Sequence, residues 1–331
     1  MSVEPSTQLE RQIRAQPDAL AAMLRSAKIR DQIRVTAEGV HRARRIWVVG
    51  TGTSFHAAEL GASMLQLAGR QAQAVPSMQF VDFAPIMGPQ DAVIVITHTA
   101  ETAYALSTRA QTFAAGLNLV MITKRGSGFP KAIETVDKES AETYTISYTT
   151  ALLALAMLAK ELGADGLTDD DLGGVPEAVA AALAEPGIDG IVLPERLLVL
   201  VGAGPAAVTA REGALKIREG ARFLAEGYDA EYLLHGSAVP LDGRDRLIAL
   251  GPPDPAGLVE AVAVAAEAEG LGVTRLHEVA NLPMLLAQIP LTVRLQLLAL
   301  RIAVERGQDP DTVIVGAWAD PATWAIGAPP T

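Results

Sequence analysis

The sequence predicts an α/β protein in which one doubly wound, parallel-sheet unit occurs twice. Three observations carry that prediction. Apolar runs that read as buried strands alternate with segments of helical spacing, the pattern of a parallel sheet covered on both faces. A glycine-marked turn, "VVGTGTSFHAA" at residues 48–58, joins one such strand to one such helix. The stretch "RRIWVVGTGTSFHAAELGA" (44–62) then returns as "RLLVLVGAGPAAVTAREGA" (196–214). Gly50 falls on Gly202, Gly52 on Gly204, Ala58 on Ala210, and Gly61-Ala62 on Gly213-Ala214, all 152 residues apart. A repeat of this kind constrains architecture more than any single motif does.

Taken in order, residues 6–44 read as helical, with Leu9, Ile13, Leu20, Met23 and Leu24 near helical spacing and Pro17 as a break. A buried strand is expected over 45–49, then a helix over 54–68 stopped by Gly69, and a short strand over 73–77. "AVIVI" (92–96) is a second buried strand, 102–115 a helix ending at Gly116, and "LNLVMIT" (117–123) a third strand. Residues 143–147 read as a fourth strand and 151–162 as a helix ending at Gly163. The acidic, glycine-rich "ADGLTDDDLGGVPE" opens an expected linker over 164–194, with one connecting helix at 175–184. The second copy continues with a strand at 246–250, a helix at 259–268, a short strand at 272–276 and a long apolar helix at 290–306. The expected domains are therefore 1–44 (helical), 45–163, 164–194 (linker) and 195–331.

Half of the 331 residues are apolar, enough for one large or two ordinary domains. The net charge of −11 and the lack of any Lys/Arg-rich run argue against a nucleic-acid partner. With no cysteine, disulfides, thiolate metal sites and cysteine nucleophiles are excluded. Glu4, Glu10, Arg11 and Asp18 interrupt the first residues, so no signal peptide is expected there. The apolar stretch 151–159 is too short to span a bilayer, and a cytoplasmic protein without membrane partners is expected.

The two copies differ in chemistry. In the first, Thr53 and Ser54 open one helix, and "THTAET" supplies Thr97, His98, Thr99 and Thr102 where the next strand turns into its helix. Adjacent turns of this kind meet at the carboxyl ends of the strands, and hydroxyls with free N–H groups suit a phosphate. The same hydroxyls would also serve simply as helix N-caps. The second copy has "GAGPAA" and "GPPDP" at these places, where prolines remove donors. One phosphate site, in the first copy, is the economical reading. A dinucleotide is the competitor, but Phe55 occupies the place of the third fingerprint glycine and neither copy has an acidic residue ending the next strand. No G-K-[ST] occurs, which excludes a P-loop.

The second copy holds the ionisable residues, in "REGALKIREGARFLAEGYDAEYLLHG" (211–236). Glu212 and Glu219, seven apart, share a helix face. Glu226 follows where that helix is expected to end, and His235 lies in the next turn. A buried carboxylate facing a pocket moves protons near neutral pH. The competing reading is a solvated face on which Lys216 and Arg218 pair the glutamates. His56, in a first helical turn, reads as a packing residue, and no metal-ligand spacing occurs.

These strings resemble the SIS (sugar isomerase) domain family. "GTGTSFHAA" is similar to its G-T-S-[YF]-H-A turn, and "THTAET" stands where the family has S-Q-S-G-E-T. "EGALKIREGARFLAEGYDAEYLLHG" resembles E-G-A-L-K-L-K-E…A-E…E-L-K-H-G-P of the isomerase half of the glucosamine-6-phosphate synthases, and "LERQIRAQPDAL" resembles its opening. The similarity runs to about Asp309.

The resemblance implies two tandem SIS domains, each an αβα sandwich of flavodoxin-like type, and a phosphosugar ligand. It places phosphate binding on Ser54, Thr97, Thr99 and Thr102, with His98 in the position of the family's glutamine. It makes Glu219 the residue that shuttles a proton between C1 and C2, and Glu212 the first glutamate of the same motif. His235 becomes the ring-opening histidine, which in the family reaches the neighbouring subunit, so a homodimer is implied. No metal or organic cofactor is implied. The family's glutaminase domain has no counterpart here, so glutamine-dependent amidotransfer by this chain is not expected. Other departures are Tyr232 for a glutamate, Ser237 for a proline, and no lysine in "ETYTISYTT". The tail "DPDTVIVGAWADP" lacks the lysine that engages the sugar carbonyl. The expected activity is thus an aldose–ketose or deaminating/deglycating isomerase acting on a hexose or amino-hexose 6-phosphate. The alternatives are a non-catalytic phosphosugar sensor and a dinucleotide-dependent oxidoreductase.

Overall fold

The structure, a computed structural model, describes residues 7–83, 85–278 and 280–330. Three helices come first: α1 (Gln8–Arg14), α2 (Gln16–Arg25) and α3 (Ala27–Val40). Pro17 sits in the first turn of α2, where a missing N–H costs nothing. Ser26 ends α2 and caps α3, its hydroxyl accepting from the Ile29 amide at 3.3 Å. Then follow β1 (Ile46–Gly50), α4 (Thr53–Leu67), β2 (Ala72–Pro76), α5 (Ser77–Asp82), β3 (Ala92–Ile96), α6 (Ala103–Ala114), β4 (Asn118–Thr123), β5 (Ile133–Glu134), α7 (Ile146–Glu161) and α8 (Asp169–Ala184). The second half contains β6 (Leu198–Gly202), α9 (Pro205–Ala221), β7 (Ala225–Asp229), α10 (Ala230–Tyr232), a π-helical turn (Leu233–Ser237), β8 (Arg246–Gly251), α11 (Leu258–Ala268), β9 (Gly272–His277) and α12 (Met284–Glu305). A short 3₁₀ turn (Gly316–Ala319) and α13 (Pro321–Trp324) end the described chain.

The chain divides into two compact units whose limits differ from those expected. The first-sheet unit holds Ala15–Ser140, Ile146–Pro176 and Ile314–Thr331. The second-sheet unit holds Met1–Arg14, Ala141–Thr145 and Glu177–Val313. Helix α1 thus belongs with the second sheet. There it packs along α12, and the Asp311 carboxylate accepts the Gln8 and Leu9 amides at 2.8 Å each, capping it.

In the first-sheet unit five parallel strands run in the order β2-β1-β3-β4-β5, the flavodoxin-like order. Trp47, Val49, Val93, Val95 and Met121 form one face, packed with Phe80 of α5 and Ala105 of α6. The intervening Ile46, Val48, Ile94 and Ile96 point the other way and are equally buried, so both faces are covered. In the second-sheet unit four parallel strands run β7-β6-β8-β9, the same order one strand short. Val199, Val201, Leu247 and Ala249 pack with Val259, Val262 and Ala263 of α11.

The repeat is visible in the glycines. A Cβ on Gly50 would collide with the backbone carbonyl of Ser54, and one on Gly202 with that of Ala206. A Cβ on Gly61 would strike Leu155 of α7, and one on Gly213 would strike Leu295 of α12. Each α4-type helix therefore lies close both to its strand and to its neighbouring helix.

Several sequence expectations need correction. Residues 143–147 form no strand: the chain turns there, and α7 begins at Ile146. The threonines of "TYTIS" have strand propensity, but the Glu139 carboxylate accepts the Ser147 amide at 2.8 Å and stabilises a helix start instead. The strand beyond β4, at one edge of the first sheet, is the two-residue β5. The linker helix begins at Asp169, six residues before its expected start, because three aspartates in its first turn favour the helix N-terminus. Glu226 does not end a helix but lies within β7. Finally, α12 is long and apolar enough to cross a membrane, yet 89% of its most apolar window is buried inside the protein, as in a core helix.

Candidate functional site

The candidate residues fall into two groups, one in each unit. In the first-sheet unit the carboxyl ends of β1, β3 and β4 converge on a concavity with about 280 Å³ of empty space. Thr53, Ser54 and Ala57 of α4 form one wall, and Ile96 and His98 after β3 form another. Thr123, Thr135, and Ser147, Tyr148 and Ala151 of α7 complete it. The sharp entry to α4 exists because Gly52 takes φ +53°, ψ −129°, a region closed to side-chain-bearing residues.

Thr53, Ser54 and His98 line this concavity, whereas Thr97, Thr99 and Thr102 serve their own loop. Thr97 is buried, its hydroxyl 3.5 Å from that of Thr102. The Thr99 hydroxyl accepts the Glu101 amide at 3.2 Å. Ala100 holds φ +61° at the tip of this loop, where the motif of the resembling family has glycine.

His98 is the most constrained of these residues. Its Nε2 accepts the main-chain N–H of Glu139 at 3.0 Å, so the neutral ring carries its proton on Nδ1. Burial, reinforced by the charges of Lys124 and Lys138, pushes the imidazole down to about 4. His98 is therefore a neutral donor at physiological pH. The His98 carbonyl accepts the Lys124 amide at 3.0 Å and the Thr123 hydroxyl at 3.3 Å, tying the loop to the end of β4.

In the second-sheet unit Glu212, Lys216 and Glu219 line one face of α9. Lys216 and Glu212 are fully buried, and Glu219 is a quarter exposed. The Lys216 ammonium lies 2.5 Å from Glu219 Oε2 and 3.7 Å from Glu212 Oε1. Burial raises the Glu219 carboxyl above its ordinary range, while Lys216 opposes the shift and Glu212 adds to it. The lysine pairs both glutamates, as on a solvated face, but the face is buried. A buried ion pair of this kind seldom repays its desolvation, so stability alone does not account for it.

His235 stands outside this cluster. It is exposed, in the π-helical turn, with φ −83°, ψ 44°, ahead of Gly236 at φ +111°. His235 and Gly236 leave helical geometry there, so the segment is a kink rather than a regular π-helix. Glu226 is engaged elsewhere, accepting from the Tyr228 hydroxyl. His56 is half-buried in the first turn of α4. Among the described residues no group of His, Asp and Glu is arranged to hold a metal.

Sequence reasoning missed Thr123, Thr135, Ser147 and Tyr148 as pocket residues. Thr123 had a signal, since it ends a parallel strand at the edge where such sheets bind ligands. The other three depend on β5 and on the early start of α7, which local propensity hides.

Parallel sheets in flavodoxin-like order, with a pocket at the strand ends of the first, define a doubly wound α/β protein of the class that binds ligands at the carboxyl ends of its strands. Residues 39–161 match the SIS domain family, and this segment is a SIS domain. The match ends there; the second sheet lies beyond it. Over 320 residues the chain is 31% identical to the glutamine–fructose-6-phosphate aminotransferase (isomerizing) of Thermococcus kodakarensis, covering 85% of this chain and 53% of that protein. The Pyrococcus horikoshii protein of the same name is 31% identical over 306 residues, covering 83% and 51%. The chain thus spans about half the length of the curated relatives it matches. The C-terminal domain of glucosamine-fructose-6-phosphate aminotransferase from Francisella tularensis has the same fold (TM-score 0.78, 21% identity, 93% of this chain and 98% of that one). So does tagatose-6-phosphate ketose/aldose isomerase from Escherichia coli (TM-score 0.80, 19% identity, 94% and 96%).

Proposed function

We propose that the chain is a tandem SIS protein, its second-sheet unit being a second SIS domain, and that it isomerises a hexose or amino-hexose 6-phosphate. The tandem reading is supported by Gly52 and Gly204, which take the same backbone conformation 152 residues apart, and by the shared strand order. The observation that carries the chemistry is the Glu212–Lys216–Glu219 triad, with the Glu219 carboxyl raised by burial. A carboxyl raised above its ordinary range is a stronger base than a free carboxylate, the property a proton shuttle needs.

In this reading the hydroxyls of Thr53 and Ser54 and the His98 imidazole hold the phosphate. Thr97, Thr99 and Thr102 shape the loop that presents His98. Glu219 removes a proton from one of C1 and C2 and returns it to the other through an enediol or enolamine. His235 assists ring opening; its exposure fits a role toward a neighbouring subunit, in a homodimer. The protein works in the cytoplasm on a small-molecule ligand, without metal or organic cofactor.

The test is solvent exchange. The protein is incubated in deuterated water with fructose 6-phosphate or glucosamine 6-phosphate. Deuterium is expected at C1 or C2, and Glu219→Gln is expected to abolish the uptake. Binding without uptake supports the second reading, a phosphosugar sensor, which the absence of a lysine from the tail "DPDTVIVGAWADP" favours.

A further inference from the structure

Two helices start at the pocket of the first-sheet unit, and their starts differ in charge. Helices α4 and α7 lie side by side, with Gly61 against Leu155. Each brings its second residue, a serine, to the pocket wall: Ser54 on α4 and Ser147 on α7. The cap of α4 is Gly52, which has no side chain, and no acidic residue lies in the first turn. The start of α7 is already taken by an anion, since the buried Glu139 carboxylate accepts the Ser147 amide at 2.8 Å. The main-chain N–H of Glu139 donates in turn to His98 Nε2 at 3.0 Å. Glu139 thus fixes two pocket residues, Ser147 and His98, relative to each other. Ser147 is buried, and among the described residues its hydroxyl makes no hydrogen bond.

We infer that Ser147 holds a neutral hydroxyl of the ligand, not its phosphate, and is therefore the residue by which the pocket distinguishes a phosphorylated sugar from phosphate alone. The inference rests on the phosphosugar reading of the pocket. A helix start attracts anions through its amides and the positive end of its dipole. At α4 no side chain answers that end, so it is left to the phosphate. At α7 the Glu139 carboxylate answers it, and a second anion there would find the Ser147 amide committed and the field satisfied. A buried hydroxyl without a partner is costly. A sugar hydroxyl meets it as donor or acceptor and brings no charge toward Glu139. Tyr148 and Ala151 continue the same wall, and an aromatic ring and a methyl group suit the carbon skeleton of a ligand rather than its phosphate.

A comparison of probes tests the assignment. Fructose 6-phosphate, glucosamine 6-phosphate and inorganic phosphate are titrated into the whole chain by calorimetry. The wild type is expected to bind at least one sugar phosphate more tightly than inorganic phosphate. Ser147→Ala is expected to weaken that sugar phosphate about five- to tenfold, the scale of one hydrogen bond, and to leave inorganic phosphate within about twofold. Retained binding of inorganic phosphate also shows that the variant folds with its pocket intact. Ser54→Ala, the reference, is expected to weaken all three probes. If Ser147→Ala weakens inorganic phosphate as much as the sugar phosphate, the serine belongs to the phosphate and the assignment is overturned. If it changes nothing while Ser54→Ala weakens every probe, the assignment is again overturned and the phosphosugar reading stands. A wild type that binds no sugar phosphate removes the phosphosugar reading, and this inference with it.

Discussion

Gly52 and Gly204 hold one backbone conformation at two places in the chain, φ +53°, ψ −129° and φ +54°, ψ −124°. Each stands at the N-cap of the helix that follows the first strand of its sheet. A residue with a Cβ is excluded from this region by its own backbone, so the two turns share a physical requirement for glycine. What differs is the next residue, Thr53 in one turn and Pro205 in the other. The turn geometry is duplicated, and the donors are not.

Gly52→Ala and Gly204→Ala are therefore expected to destabilise the protein by similar amounts, about 2 kcal/mol each. Chemical denaturation measures this. Only Gly52→Ala should also weaken sugar-phosphate binding; equal losses of affinity in both variants would contradict a single phosphate pocket.

Much of this was legible in the sequence. The paired glycines announced both turns, and "AVIVI" announced β3 residue for residue, because a fully buried parallel strand leaves an uninterrupted apolar run. Ser54 and His98 were legible as pocket residues because they follow strand ends. The affiliation of α1 was not legible: its own pattern specifies an amphipathic helix, while Asp311, more than 300 residues away, decides where it docks. Nor was Glu139 legible, since its amide meets His98 through tertiary proximity that no periodic pattern records. For Glu212 and Glu219 the spacing told which face they share, but burial of that face depends on α9 packing against α12.

Ala100 carries a strain that one substitution should release. At φ +61° an alanine costs about 1 kcal/mol relative to glycine, more than the extra unfolded-state freedom of glycine returns. Ala100→Gly is expected to raise the midpoint of denaturation modestly. A fall in the midpoint would mean that the loop prefers this conformation for reasons outside its backbone.

The triad makes opposite predictions for its lysine and for Glu219. Lys216→Met leaves Glu212 and Glu219 without their shared cation in a buried face. A loss of about 3 kcal/mol or more is expected at pH 7. The loss should shrink on acidification, as protonation relieves the repulsion. Thermal unfolding of the variant between pH 4 and 8 checks both points.

Glu219 itself has the reverse sign from a typical paired carboxylate. Its folded-state carboxyl is raised above the unfolded value, so the folded state binds the proton more tightly. Its contribution to stability is then most favourable below the unfolded value and is lost as pH rises through the raised one. Glu219→Gln, which keeps the shape without the charge, is expected to match the wild type in acid and to unfold at a higher temperature at neutral pH. A wild type more stable than Glu219→Gln at pH 7 would show that Lys216 outweighs burial. That outcome would leave the carboxylate firmly ionised and poorly placed to carry a proton.

Ser54 separates a ligand-binding turn from a merely well-capped helix. The Ser54 amide donates to the Thr51 carbonyl at 3.0 Å, and α4 takes its cap conformation from Gly52, so the turn is held by backbone. Ser54 lines the pocket, and no side-chain cap bond holds that helix start. Ser54→Ala should therefore leave Tm within a degree or so while weakening fructose 6-phosphate binding about tenfold, the scale of one hydrogen bond to a charged group. A variant that loses stability instead, with affinity intact, would assign the hydroxyl to the helix and remove Ser54 from the site.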